Sequence, residues 1–482
     1  MRETGEYTPN WEREQTMDTG YRVGLGVAIM ACLMGSVGTA AEEATGPWRM
    51  GAPIVTYWAG PMPMTDAVAE QMAAGGWNLV WVTRRGAAQG VGALEHFRAQ
   101  LDVLGRHGLR GILSLGGVPR DPEKPMALDD PEEKAELDAI VEGVREHPAL
   151  YAYHILDEPT AAAFPNLARM KAYLHEKDPS RLAFVNLYPS YASLKQLGTT
   201  GEAPEAYREY LNQFVKTFRP QLLSYDHYHF AVKGDGHQYF LNLAEIRQAA
   251  LVADIPFMAI LQACSWTVNM RIPTGEELRW LAYTALAYGA QGISWYVYGY
   301  PGHDGGMISP AGTYREPHVA RSMGRAVLGG PPTSLYYVAR ELHREFVAIA
   351  TELRPMVSIG AYHVGMLPEG TVPLPDDAVF RLDPPVADRD YATPVEGYVV
   401  GCFGEGTTMT HALVVNLNTR TYSGRGQERR EEFLSPTRRK IVGQGPLEVF
   451  DPSTSTWTAT GSNSAELRLP PGSGLLVRRS LR

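Results

Sequence analysis

The stretch Tyr151-Ala-Tyr-His-Ile-Leu-Asp-Glu-Pro159 decides the fold. An apolar, aromatic run of strand type ends there in two adjacent carboxylates and a proline. Strand interiors disfavour Asp and Pro, so the strand is expected to stop near Leu156, with Asp157 and Glu158 at its carboxyl-terminal rim. In a parallel α/β protein that rim is where ligands bind. Two acids side by side there can differ in pKa, and one that keeps its proton near neutral pH can serve as a general acid. The same residues also suit a helix start, because Asp157 followed by Glu-Pro-Thr reads as an N-cap. The stretch alone leaves both readings open.

Working outward, strand-like and helix-like segments alternate from residue 53 to about 356. The strand-like runs are Pro53–Trp58, Trp77–Thr83, Leu109–Leu115, the opening stretch, Leu182–Tyr188, Leu222–Asp226, Pro256–Gln262 and Gly292–Tyr298. Helical spacing of Leu94, Phe97, Leu101 and Leu104 marks one intervening helix, which should end at Gly108. Before the last strand, Thr274-Gly-Glu-Glu277 reads as a capping box, and Leu278, Leu281, Ala282, Ala285 and Leu286 form one apolar face. Eight strand–helix units over this length predict a closed (β/α)8 TIM barrel over 50–356. A doubly wound open sheet is the alternative, but no Gly-rich fingerprint follows the first strand, so no dinucleotide cofactor is expected.

After Pro355 the pattern changes to short alternating strands separated by turn clusters, such as Tyr398–Cys402, Ala412–Asn416 and Gly474–Arg478. They predict a C-terminal β-sandwich-like domain over 357–482, with a highly charged loop at Arg420–Lys440. At the other end, Arg22, the apolar run Val23–Gly35 and small residues through Ala41 follow the order of a secretory signal. Residues 1–41 are therefore expected to be a signal peptide, with 1–16 an extended start before Met17 and a secreted or periplasmic mature chain. A membrane anchor is the alternative reading, but the run is short and rich in Gly and Ala. Cys264 and Cys402 would remain, far apart in sequence, which makes neither a disulfide framework nor a zinc motif. The net charge of −9, with no basic cluster interleaved with aromatics, argues against a nucleic-acid partner.

Barrel enzymes draw their chemistry from several strand ends. Here those ends carry Tyr57 and Trp58, then Arg84 and Arg85, Asp157 and Glu158, and Asn186 and Tyr188. The later strands end in Tyr225-Asp226-His227-Tyr228-His229, in Gln262 with Trp266 beyond it, and in Trp295, Tyr296 and Tyr298. Such a rim is aromatic, rich in hydrogen-bonding groups and poor in cations. Sugar rings stack on Trp and Tyr while their hydroxyls bond to carboxylates and amides, so a carbohydrate substrate is expected. The expected substrate contacts are Tyr57, Trp58, Arg84, Asn186, Tyr188, Tyr225, His227, Gln262, Trp266, Trp295 and Tyr298. His227 and His229 beside Asp226 have metal-ligand types, but alternation along a strand sets Asp226 on the opposite face, and no metal is expected. His303-Asp304-Gly-Gly306 reads as a flexible Gly-rich edge.

The Asp157-Glu158-Pro159 stretch resembles the strand-four end of the retaining glycoside hydrolases of clan A, where the motif is usually Asn-Glu-Pro. Family 42-like and cellulase-like barrels with attached β-domains are the most similar, over about residues 53–356. The resemblance implies that Glu158 is the general acid/base. It also implies a nucleophilic Glu at the end of strand seven, where this chain has Ile260-Leu-Gln262-Ala-Cys-Ser and no carboxylate until Glu276. Asp226 is then the leading second carboxylate. The Asp157-Glu158 pair also resembles that of substrate-assisted hexosaminidases, in which Asp orients the acetamido group and a tyrosine such as Tyr225 or Tyr298 would bond it. A carbohydrate-binding protein without catalysis is the third reading.

Overall fold

The computed structural model describes residues 53–61, 64–84, 90–300, 302–309, 329–390, 396–419 and 439–480. The expected signal segment and nearly all of the charged loop lie outside these residues. Eight strands, β1 (Ile54–Tyr57), β2 (Leu79–Val82), β3 (Arg110–Ser114), β4 (Leu150–Asp157), β5 (Leu182–Leu187), β6 (Leu223–His227), β7 (Phe257–Gln262) and β8 (Gly292–Tyr296), form one sheet. Every hydrogen-bonded pair in it is parallel, running β2-β3-β4-β5-β6-β7-β8-β1. The remaining seam, between β1 and β2, is closed by Asn78. Its side-chain oxygen accepts from Val55 N at 2.9 Å, its amide donates to Pro53 O at 2.7 Å, and its own N–H donates to Val55 O at 3.1 Å. The chain is a (β/α)8 TIM barrel.

The surrounding helices are α1 (Asp66–Ala74), α2 (Ala93–Arg106), α3 (Pro131–Val144), α4 (Phe164–Lys177), α5 (Glu205–Phe218), α6 (Tyr239–Ala253), α7 (Gly275–Ala287) and α8 (Ser334–Leu353). Their starts use ordinary capping chemistry. Asp130 accepts from the N–H groups of Glu132 and Glu133 at the head of α3. Thr274 and Glu277 cap one another at the head of α7. The five apolar residues read from the α7 sequence are all buried. None of the helices among the described residues is long and apolar enough to cross a membrane.

Beyond α8 the chain forms a C-terminal β-domain. A seven-stranded sheet that includes Val357–Val364, Tyr398–Glu405, Thr408–Asn416 and Gly474–Arg479 faces a three-stranded sheet of Phe380–Asp383, Arg439–Gly443 and Ser464–Leu467. Phe380, Leu382, Val400, Val414, Ile441 and Val477 fill the space between them. The domain seats on the outer helices of the barrel. A side chain added at Gly401 would lie 2.2 Å from the carbonyl oxygen of Ala287, so only glycine lets that strand approach α7. Tyr288 bonds His363 at 3.0 Å and Trp457 donates to Glu352 at 3.0 Å across the same boundary.

Candidate active site

Strand β4 does not stop at Leu156 as its sequence suggests. It continues through Asp157 with a register shift against β5. His154 pairs with Phe184 and Asp157 with Asn186, so β4 spends three residues where β5 spends two. The ring of His154 lies among Trp58, Trp81 and Phe184. Simple alternation would send the residue three further on to the opposite face. The bulge reverses that and brings Asp157 back toward the residues of β5 and β6.

Asn186 then holds two acids at once. Its amide nitrogen donates to Asp157 Oδ1 at 3.1 Å and to Asp226 Oδ1 at 3.0 Å, while Ser224 donates to its carbonyl oxygen at 3.3 Å. Those bonds fix which way the amide faces. One nitrogen touching both acids keeps their near oxygens within about 6 Å of each other. Asp226 is 3 % exposed. Burial, and then the charge of Asp157, raise its pKa to about 8, against the opposing pull of the Asn186 and Tyr228 hydrogen bonds. Burial also raises Asp157, with Arg120 and the Asn186 amide opposing it. A buried like-charged pair of this kind resists losing its last proton.

Glu158 follows with φ +46°, a left-handed conformation uncommon for a residue with a side chain. Its N–H donates to Asn186 O at 2.9 Å, and Arg120 Nη1 donates to its carbonyl at 3.3 Å. Such strain costs on the order of 1–3 kcal/mol and persists where the surroundings over-determine it. The Glu158 side chain is half-buried. Burial raises the pKa of Tyr188, Tyr191 and Tyr228, and the charges of Glu158 and Asp226 add to it in all three. Glu158 and Asp226 therefore lie near the same three hydroxyls.

Two groups of aromatic rings gather at neighbouring strand ends. Trp58 lies edge-on to Trp81 at 4.5 Å and to His154 at 5.2 Å. In the second group, Tyr228, Trp266 and Tyr296 lie 4.7–5.2 Å apart by ring centre, and Tyr296 OH bonds His303 at 2.9 Å.

Other residues expected at the site are committed elsewhere. Gln262 is fully buried, and its amide nitrogen donates to the carbonyls of Phe230, Cys264 and Arg271 while its oxygen accepts from Phe230 N. It ties two loops together and leaves nothing for substrate. Trp295 donates to His343 of α8 at 2.7 Å, and Tyr298 donates to Gln71 of α1 at 2.7 Å. Tyr57 packs on Tyr298, and Tyr225 is buried on the helix side near Tyr207, Tyr239 and Tyr288. His227 is also sealed behind the sheet, with Nδ1 2.9 Å from Asn242 Oδ1. That oxygen already accepts from Ser190 N, so His227 Nδ1 is the donor. Arg84 turns to Glu136 on α3. Tyr188 stays near the two acids but is 8 % exposed.

The Gly-rich edge is not a free loop, because Asp304–Gly305 pairs with Cys264–Ser265. Among the described residues no three His, Cys, Asp or Glu side chains gather as a metal site. Arg85 lies outside the described residues. Arg120, in the loop after β3, and Tyr191, after β5, are at the site with no sequence signal beyond their residue type.

No protein-family model and no curated protein matches the chain. Among solved structures it overlaps one described as a glycoside hydrolase, with a TM-score of 0.49 at 12 % identity over 89 % of this chain and 92 % of that one. A family 5 mannosidase of Rhizomucor miehei overlaps with a TM-score of 0.42 at 11 % identity, covering 60 % of this chain and 88 % of that one. A β-galactosidase of the psychrophilic Marinomonas ef1 overlaps with a TM-score of 0.40 at 12 % identity, covering 63 % and 60 %. At such identities and TM-scores the chemistry has to come from this chain's own side chains.

Proposed function

We propose that this protein is a secreted glycoside hydrolase acting on an oligo- or polysaccharide, with Glu158 as general acid/base and Asp226 as the second carboxyl group. The observation that carries the proposal is the gathering of Glu158, Asp157 and Asp226 near aromatic rings at the carboxyl-terminal rim of the barrel. Acids there can protonate a leaving glycosidic oxygen and stabilise the cationic sugar, while flanking rings stack on sugar faces. Among the described residues the one cation paired with these acids is Arg120, which suits a neutral substrate better than a phosphorylated one.

A second reading is favoured by the Asn186 bridge. In it Asp157 and Asp226 act together to orient a 2-acetamido group that serves as the internal nucleophile, and Glu158 protonates the leaving oxygen. Tyr225 is buried on the helix side and Tyr298 is bonded to Gln71, so Tyr228 takes the hydroxyl role.

Both readings require Glu158. Aglycone release from a panel of nitrophenyl glycosides should fall by about 100-fold or more in Glu158→Gln while sugar binding persists. Near-normal turnover in that variant contradicts both. Cleavage restricted to 2-acetamido sugars selects the second reading, and cleavage of a plain glucoside or galactoside removes it.

A further inference from the structure

Asp157 and Asp226 share one amide donor, but only one of them has a cation. Arg120 Nη2 stands 3.5 Å from Asp157 Oδ2, and the same guanidinium is anchored on the Glu158 carbonyl. Among the described residues Asp226 has no such neighbour. The titratable groups among the described residues that influence it or are influenced by it are Asp157 on β4, Tyr225 of its own strand and Tyr228 just beyond it, Tyr188 and Tyr191 after β5, Tyr207 of α5 and Tyr296 of β8. Those hydroxyls are held neutral by burial, so none supplies positive charge. Glu158, which lies near three of the same hydroxyls, can add only negative charge.

We propose that Arg120 is a positioning residue that fixes the single proton of the acid pair on Asp226 and leaves Asp157 ionised. This rests on the assignment of the same acids above and deepens it. Near neutral pH Asp226 meets the sugar as a hydrogen-bond donor, while Asp157 and Asn186 hold it in place. The raised titration of Asp226 and the opposing effect of Arg120 on Asp157 alone agree with that division. A donor at this position fits a substrate that presents an acceptor oxygen beside the anomeric centre, such as a ring hydroxyl or an acetamido carbonyl.

The infrared carbonyl stretch of a protonated carboxylic acid reads the proton directly, in the full chain and without substrate. With Glu158→Gln placed in every protein compared, so that the general acid adds no band, the otherwise wild-type chain should show a buried acid band that titrates near pH 8. Asp226→Asn should abolish that band at neutral pH, because Asp157 beside Arg120 stays charged. Arg120→Lys should keep it. The Arg120→Met, Asp226→Asn double variant should regain an acid band, now belonging to Asp157. A band that survives Asp226→Asn, or that is missing from the otherwise wild-type chain at neutral pH, overturns the proposal. The titration needs no turnover, so failure to cleave any glycoside would count against the hydrolase reading without altering this result.

Discussion

Two strand ends of one barrel show different uses of polar side chains. At the end of β7, Gln262 spends its amide on three backbone carbonyls and one N–H, and becomes part of the scaffold. At the ends of β4 and β6, Asp157 and Asp226 are held by a single amide and are driven toward sharing a proton. A buried polar group with all its bonds made contributes rigidity, whereas one whose ionised form is disfavoured is available for proton chemistry. The proposed second acid is therefore on strand six, where the resemblance to clan A would have placed it on strand seven.

The largest expected effect on that contrast comes from Asp226→Ala, which removes the hydrogen-bond donor and should slow glycoside turnover by about 100-fold or more. The neutral Asp226→Asn variant sharpens the electrostatic side. A carboxyl near pKa 8 in the fold and about 4 when unfolded binds its proton more tightly in the native state. Its contribution is therefore fully present below about pH 4 and is lost as pH rises toward about 8. Thermal unfolding across that window should show a shallower loss of stability in Asp226→Asn than in wild type. Equal slopes would mean the carboxyl is not strained.

Gln262→Glu attacks the other end. A carboxylate there would face three carbonyl oxygens, costing about 3 kcal/mol or more in urea unfolding, and it should not restore turnover to Asp226→Ala. Rescue would return the nucleophile to strand seven. Next in size is the pH profile: kcat/KM should decline as pH rises through about 8, when Asp226 loses its proton. A rise over that range would instead mark Asp226 as an ionised nucleophile. The smallest effect belongs to Tyr298→Phe, which should cost about 1 kcal/mol of stability through its lost bond to Gln71 and leave KM unchanged.

Most of the barrel was legible in the chain because its strands are continuous apolar runs and its helices carry capping and periodic signals, as at Thr274–Glu277. The site was legible only in part. Asp157, Glu158, Asp226 and Asn186 can be found from their places at strand ends. The β4 bulge cannot, since it depends on how β4 and β5 align, and it is what turns Asp157 toward Asn186. Side-chain direction misled at β8. Trp295 and Tyr298 carry the right chemistry but point to α8 and α1, while Tyr296 between them faces the site. Arg120 comes from a loop, where no periodicity exists to place it.

The most direct test of the strand-four and strand-six assignment is aglycone release from the nitrophenyl glycoside panel by wild type and Asp226→Ala, measured side by side. At least one glycoside should be cleaved by wild type, with the variant slower by about 100-fold or more. A wild type that cleaves none of the panel, or a variant that cleaves at the wild-type rate, would contradict it.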